Sequence, residues 1–597
     1  MVKVLIKKAL KNFVFFYTRM GKRIFVIVGL TFSVGLLDGL GLTMFLPLFQ
    51  IAAENEQTSP AESSNQDVVG KLFEWTGFSV SLVNILFVMA CFFIIKGVFN
   101  FFKLKFDADS ARYFMLRTRK RLFMAFSDVS YNYYVKADVG RIQNIMTGEL
   151  NTVYVAFTQY IGMIQQSIML IVYMGFAVLM NAQFAILITI GGLIFNFFFS
   201  KIYKVTKDSS RKRVSAANSY QGLIIQFVTN FKYLKATGLL KVFGGKVDQN
   251  IEDIERENRK MGYMNAIAGA LREPILIIIV AAVILFQVYG LGGTLSTVII
   301  SLMFFYRALT AVTFLQQNYN TFNTMIGTLE NVEWFEAELS SHHEKQSGSK
   351  HLSNLSGGLE LRNVEFAFEK EPVLSGINLK VAENTTVALV GESGSGKTTM
   401  INILTGLLPV TRGEYLIGGQ PVQDLLLKDL QRQIGYISQE AVIFSDTVFN
   451  NVTFWAEPTA ENKDRFFKAL KKAEIYDFVT SLSEGENTLL GNNGVNLSGG
   501  QKQRISIARE LFKDAKILIL DEATSALDSE TEKAIQSNID ALKGTVTIII
   551  IAHRLSTVKN ADEIILLDAG KIVNRAPFDE LRERDPKFRR MVELQEM

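Results

Sequence analysis

At 597 residues the chain exceeds what one hydrophobic core serves, so at least two domains are expected. Hydrophobic residues supply 49% of positions and phenylalanine alone 46, concentrated before residue 325 in runs too long for ordinary strands or core helices. A net charge of +5 argues against a dedicated nucleic-acid binder, and the lone cysteine, Cys91, excludes a disulfide framework or a cysteine metal cluster.

The N-terminus, MVKVLIKKALKNFVFFYTRMGKR, lacks the pattern of a cleavable signal. It is basic and alternately apolar, which suits an interfacial helix leading into a membrane span. Crossing a bilayer as helix takes about 20 apolar residues. Six segments meet that requirement: 24–51, 80–102, 158–180, 184–202, 267–290 and 295–315. The breaks after the third (Asn181 to Gln183) and after the fifth (Gly290 to Gly293) are short enough to predict helical hairpins. Residues 1–23, 103–157 and 201–213 are rich in Lys and Arg, whereas 52–79 carries five acids against Lys71. Because Lys and Arg stay on the cytoplasmic side, both termini are placed inside. The inner connections 103–157 and 203–266 are too polar for lipid and read as helical extensions into the cytoplasm. The expected domains are therefore a six-helix transmembrane domain, 1–338, and a polar linker, 339–358. An α/β domain, 359–597, follows, where short apolar strands alternate with helices.

Within that last domain VALVGESGSGKTTMINILTGLL fills every fixed position of GxxxxGK[ST]: Gly391, Gly396, Lys397 and Thr398. A buried strand precedes the loop and an amphipathic helix follows, so backbone N–H groups of residues such as Ser393, Gly394, Ser395 and Thr399 can surround phosphate at a helix N-terminus. Lys397 is expected on the β- and γ-phosphates of ATP, and the Thr398 hydroxyl on Mg²⁺. ILILDEATSALDS delivers Asp521 and Glu522 to the end of a second strand, where open α/β sheets place ligands. Asp521 suits a magnesium contact, direct or through water, and Glu522 a general base for the attacking water. His553, in TIIIIAHRLS, follows a third strand and is placed against the γ-phosphate.

Together with VNLSGGQKQR (495–504), these motifs resemble the ATP-binding cassette family, over about 359–597. The resemblance implies that Phe368 stacks on adenine and that Gln439, in IGYISQE, contacts magnesium and water. Ser525, Ala526, Leu527 and Asp528 match the family's D-loop, which implies a nucleotide-site role for Asp528. Ser498, Gly499 and Gln501 would complete the ATP site of a second copy, which makes the chain a half-transporter working as a homodimer. Helix count and order resemble the exporter type, with coupling helices near 130–139 and 222–231. Exporters often carry a Glu-Arg pair before the signature; here Asn492 and Asn493 stand there, which puts a charge-based relay in doubt.

Asp38 and Lys96 interrupt the first and second spans, Arg272 and Glu273 open the fifth, and Arg307 lies in the sixth. Ionised groups are costly in lipid and usually face the interior or a cavity. Asp38, Arg272 and Arg307 are therefore candidates for an anionic, amphipathic cargo such as a pyrophosphate head group. The other reading is internal pairing, for example Asp38 with Lys96, or a position beyond the lipid on a cytoplasmic extension. The external stretch VVGKLFEWTGF, the run GLTMFLP and GNNGVNLSGGQKQR resemble bacterial flippases of lipid-linked oligosaccharides. That implies the bacterial inner membrane, membrane-lipid partners and a cassette in the cytoplasm. Export of lipid A, drugs or peptides, or an ATP-gated channel, are the alternatives.

Overall fold

The computed structural model describes residues 12–45, 48, 81–180, 182–286, 289, 295–344, 348–352, 357–368, 371–491, 494–521, 529–551 and 558–596. The chain divides into two units, Met1–Val129 with Lys136–His343, and Ser130–Val135 with Glu344–Met597.

Among the described residues six long helices dominate the first unit: α1 (Arg23–Thr43), α2 (Leu82–Ser127), α3 (Leu150–Met180), α4 (Ala182–Thr229), α5 (Leu240–Leu285) and α6 (Leu295–Ser341). Among the described residues four helices are long and apolar enough to cross a membrane, Arg23–Thr43, Leu82–Ser127, Val139–Leu179 and Leu240–Ala282. These carry the second, third and fifth expected spans and the first as far as Thr43, with 46–47 and 49–51 of that span outside the described residues; the fourth and sixth fall on α4 and α6. The 46 residues of α2 extend about 69 Å at 1.5 Å per residue, more than twice a hydrocarbon core. The polar half of α2 continues the helix beyond the apolar half, as do those of α4, α5 and α6.

A shorter helix over 12–20 precedes α1 and breaks at Gly21, whose φ of +60° closes the turn. That short helix is anchored by rings. Phe16 is buried and stacks on Tyr160 at 4.5 Å, and Phe114 stacks on Phe157 at 4.5 Å. Buried Arg19 pairs with Glu336, which also takes Arg121.

The two polar connections hold short helices. Tyr131–Lys136 falls inside the expected 130–139 segment. The second separate helix is Phe231–Ala236, which shares only Phe231 with the expected 222–231 segment. GLIIQFVT contains no proline and no breaker after Gly222, and α4 runs on to Thr229 and turns only at Asn230. Where the helix Val139–Asn144 passes α4, a side chain on Gly140 would lie 2.4 Å from the Gly222 Cα. Only glycine at 140 permits that approach.

The second unit contains a six-stranded sheet in the order β10-β9-β3-β8-β7-β6 and a four-stranded antiparallel sheet, β2-β1-β4-β5. Its strands are β1 (Leu359–Ala367), β2 (Pro372–Val381), β3 (Thr386–Gly391), β4 (Arg412–Ile417), β5 (Gln420–Pro421), β6 (Ile434–Ile437), β7 (Ile517–Asp521), β8 (Thr547–Ile551), β9 (Glu563–Asp568) and β10 (Lys571–Ala576). The central pairings are parallel, so both faces are covered and the strands read as continuous apolar runs. Alternation divides them between two cores. Ala388, Val390, Leu518, Leu520, Ile548 and Ile550 enter one. Val387, Leu389, Ile517, Ile519, Ile549 and Ile551 enter the other. Tyr131, from the segment 130–135, packs against the second core.

Candidate functional site

Three parallel strands bring the nucleotide motifs together. In register Leu389 pairs with Ile551 and Asp521 pairs with Ile551, so β3, β8 and β7 end side by side. The phosphate-loop sequence leaves β3 at Gly391 and enters the helix α7 (Lys397–Leu404), whose N-cap Gly396 has φ +103°. A Cβ at Gly396 would press into Leu374, and one at Gly391 would lie 2.3 Å from the Leu567 carbonyl. The glycines thus let the loop lie flat on its neighbours. The Gly570 N–H donates to the Ser395 carbonyl at 3.1 Å and fixes the loop from the β9–β10 turn.

Lys397 is buried, and its Nζ donates to the Gly391 and Glu392 carbonyls at 2.8 and 2.9 Å. Its ammonium therefore lies across the loop. Ser395 is also buried, with its Oγ lacking a hydrogen-bond partner among the described residues. An unpartnered buried hydroxyl costs about 1–3 kcal/mol, which an external acceptor or donor would recover. Thr398 and Ser393 are exposed beside it, and Thr399 is half-buried.

Across the sheet, the Tyr436 hydroxyl on β6 donates to Asp521 Oδ2 at 2.9 Å. Burial, reinforced by the Asp521 charge, holds the Tyr436 phenol above its ordinary range, so it remains a donor. Gln439 is exposed just beyond β6. Phe368 is partly exposed at the end of β1, edge-on to Phe366 at 4.9 Å. Glu522 and Asp528, which follow β7 in the sequence, and His553, which follows β8, lie outside the described residues, as do Asn492 and Asn493.

Ser498 caps the helix α8 (Gly499–Phe512). The Gln501 N–H donates to Ser498 Oγ at 3.3 Å, and the Ser498 N–H donates to Gln501 Oε1 at 2.8 Å. This reciprocal cap uses two polar residues of LSGGQ to satisfy two N–H groups at the start of a fourteen-residue helix. Gln503, buried one turn on, donates to the Ser438 carbonyl at 3.3 Å and ties that helix to the Gln439 segment. Tyr436 and Gln503 escaped the sequence reading because their partners are set by strand register and helix packing. Their only linear signal is proximity to IGYISQE and LSGGQ.

In the membrane unit Asp38 is buried. Its Oδ1 accepts from Lys96 Nζ at 2.5 Å and its Oδ2 from the Tyr173 hydroxyl at 2.5 Å. Arg307 Nε lies 3.8 Å from Oδ2. The structure therefore brings together Asp38, Lys96 and Arg307 from three expected spans. Arg272 is on α5, with its side chain outside the described residues.

Residues 374–525 match the ABC transporter family model, and residues 25–312 match the ABC transporter transmembrane region. An ATP-dependent lipid A-core flippase of Francisella novicida is 31% identical over 509 residues, covering 83% of this chain and 84% of that protein. The chain belongs to the ABC transporter family. A lipid A-core flippase of Ralstonia nicotianae is also 31% identical, over 82% of this chain and 84% of its own length. The fold matches a bacterial Atm1-family ABC exporter with ATP bound, at TM-score 0.75 and 21% identity, over 97% of this chain and 99% of that one. The protein is thus a multi-pass membrane exporter that binds ATP and couples its hydrolysis to transport, as the motifs imply.

Proposed function

We propose that a homodimer of this ABC exporter flips a phosphate-bearing, lipid-anchored saccharide from the inner to the outer leaflet of a bacterial inner membrane. The observation that carries the cargo class is the pair of cations, Lys96 and Arg307, gathered around one carboxylate within the transmembrane unit. Such groups are expensive in lipid, and a phosphate is the ligand whose oxygens best match an arginine and an ammonium. Arg272, on α5, is assigned to the same head group.

Lipid A-core is the cargo named for the similar flippases of Francisella and Ralstonia. A polyprenyl-pyrophosphate oligosaccharide is favoured by the acid in GLLDGLGLTMFLP and by the external stretch VVGKLFEWTGF. Both present phosphate next to sugar and acyl or prenyl chain.

At the nucleotide, Lys397 takes the β- and γ-phosphates, while Gly394, Gly396 and the N-terminus of α7 supply backbone donors. Phe368 stacks on adenine. Thr398, Asp521 and Gln439 form an all-oxygen donor set suited to Mg²⁺. Among the described residues no group of three or more His, Cys, Asp or Glu could hold a metal. When bound, magnesium would neutralise charge on the β- and γ-oxygens. Tyr436 fixes the Asp521 carboxylate, Glu522 accepts the proton of the attacking water, and His553 steadies the γ-phosphate side.

Ser498, Gly499, Gln501 and Asp528 act on the nucleotide of the second copy. The helix start at Ser498 supports this, because the N-terminal end of a helix favours a nearby anion. Val228, Phe231, Tyr233 and Val242, exposed around the turn between α4 and α5, supply apolar surface for the same partner.

ATPase activity in nanodiscs, titrated separately with lipid A-core and with a polyprenyl-pyrophosphate oligosaccharide, tests the cargo. Saturable stimulation by one of them, absent in Glu522→Gln, identifies it. Indifference to both would refute the phosphate-bearing glycolipid.

A further inference from the structure

Asp38 is engaged on both oxygens by Lys96 and Tyr173, and its side chain is only 1% exposed. Its fixation comes from close packing: a side chain on the adjacent Gly39 would collide with the Phe176 ring at 2.1 Å. The two cations are less committed. Lys96 uses one of its three N–H donors on Asp38, and its side chain is 25% exposed. Arg307 is 41% exposed, sits 3.8 Å from the carboxylate, and makes no hydrogen bond among the described residues. Among those residues Asp38 is the only carboxylate within ion-pair distance of either cation. One negative charge thus serves two positive ones, leaving an excess of one and most of the N–H donors available.

We propose that Asp38 is an internal counter-ion that competes with the cargo's phosphate for Lys96 and Arg307, so that the site binds the phosphate and then releases it. A flippase must bind its cargo firmly enough to capture it and loosely enough to let it go. Two unopposed cations in a low-dielectric setting would hold a phosphate too tightly to release it. With Asp38 fixed in place, the phosphate meets an excess of one charge, and the carboxylate resumes both partners when it leaves. Tyr173 contributes by holding the carboxylate in that position. This inference rests on the phosphate-bearing cargo proposed above and assigns Asp38 a role in specificity and turnover.

The test is equilibrium binding to the full-length protein in phosphatidylcholine nanodiscs, using two matched pairs of probes. One is undecaprenyl pyrophosphate against undecaprenol; the other is lipid A against dephosphorylated lipid A. The wild type should prefer the phosphorylated member of at least one pair, and which pair it discriminates distinguishes the two sources. Asp38→Asn should tighten that member by roughly tenfold and leave its dephosphorylated partner unchanged. The same variant should lower both the half-saturating concentration and the maximum of lipid-stimulated ATPase activity. Should Asp38→Asn fail to fold, Lys96→Gln carries the test: its cluster is neutral, and phosphate preference should fall by roughly tenfold. A wild type that prefers phosphate, with no tightening in Asp38→Asn or no loss in Lys96→Gln, overturns the counter-ion role and leaves the cargo class standing. A wild type that discriminates neither pair removes the cargo class itself.

Discussion

Lys397, Asp521 and Glu522 answer to different variants because they meet the nucleotide through different chemistry. Lys397→Ala removes a point charge from the phosphate loop and should weaken ATP binding itself, as fluorescent-nucleotide titration would show. Glu522→Gln keeps shape and hydrogen bonding but removes the base, so ATP should still bind while sustained hydrolysis disappears. Tyr436→Phe deletes one hydrogen bond to Asp521 at 2.9 Å without changing the ring. A hydrogen bond to a charged group contributes about 1.5–3 kcal/mol, so kcat should drop by roughly tenfold or more with ATP affinity little altered. Unchanged kcat would show that Asp521 keeps its place without Tyr436. Gly391, Gly396, Lys397 and Thr398 were legible in the sequence because a phosphate loop demands those residue types at fixed spacing. Tyr436 was not, since its value comes from lying beside β7, and no linear pattern encodes that neighbour.

Helices and strands obey their own constraints. VALV, ILIL and TIIII could be read as buried strands because both faces of a parallel sheet are covered, and β3, β7 and β8 divide their side chains between two cores accordingly. The coupling helix expected at 222–231 falls mostly on the end of α4, and the separate helix follows at Phe231–Ala236, since an apolar helix carries no mark of where it leaves its support. The crossing of Gly140 and Gly222 was not foreseen, and it makes an asymmetric prediction. A methyl at 140 would meet the Gly222 backbone at 2.4 Å, whereas a methyl at 222 finds its nearest neighbour, the Asp138 carboxylate, at 3.7 Å. Gly140→Ala should therefore destabilise the protein by about 1–3 kcal/mol, read as a lowered Tm, while Gly222→Ala should be nearly neutral. Equal effects would mean that the helices separate freely. Similarly, Ser498→Ala removes the cap of α8 and should cost about 1 kcal/mol in thermal stability, apart from any effect on hydrolysis.

At the level of the whole molecule, each chain holds one phosphate loop and one signature helix, and the proposed dimer pairs each with its opposite. A mixed dimer of Lys397→Ala with Ser498→Arg chains should then retain one intact site and trap nucleotide with vanadate. Neither homodimer should do so. No trapping in the mixed dimer would place both halves of a site on one chain. The membrane half was legible as spans and as buried charges, with Asp38 pairing to Lys96 one of the two readings, but Arg307 joined that pair only once α1, α2 and α6 were packed together. The most direct measurement is ATP-driven movement of the glycolipid in proteoliposomes, followed by its accessibility to a membrane-impermeant modifying enzyme on one side. The expected result is translocation that requires ATP, stops in Glu522→Gln and slows in Arg307→Ala more than basal ATPase does. Hydrolysis at full rate with no redistribution of either lipid A-core or the polyprenyl-linked oligosaccharide would contradict a glycolipid flippase.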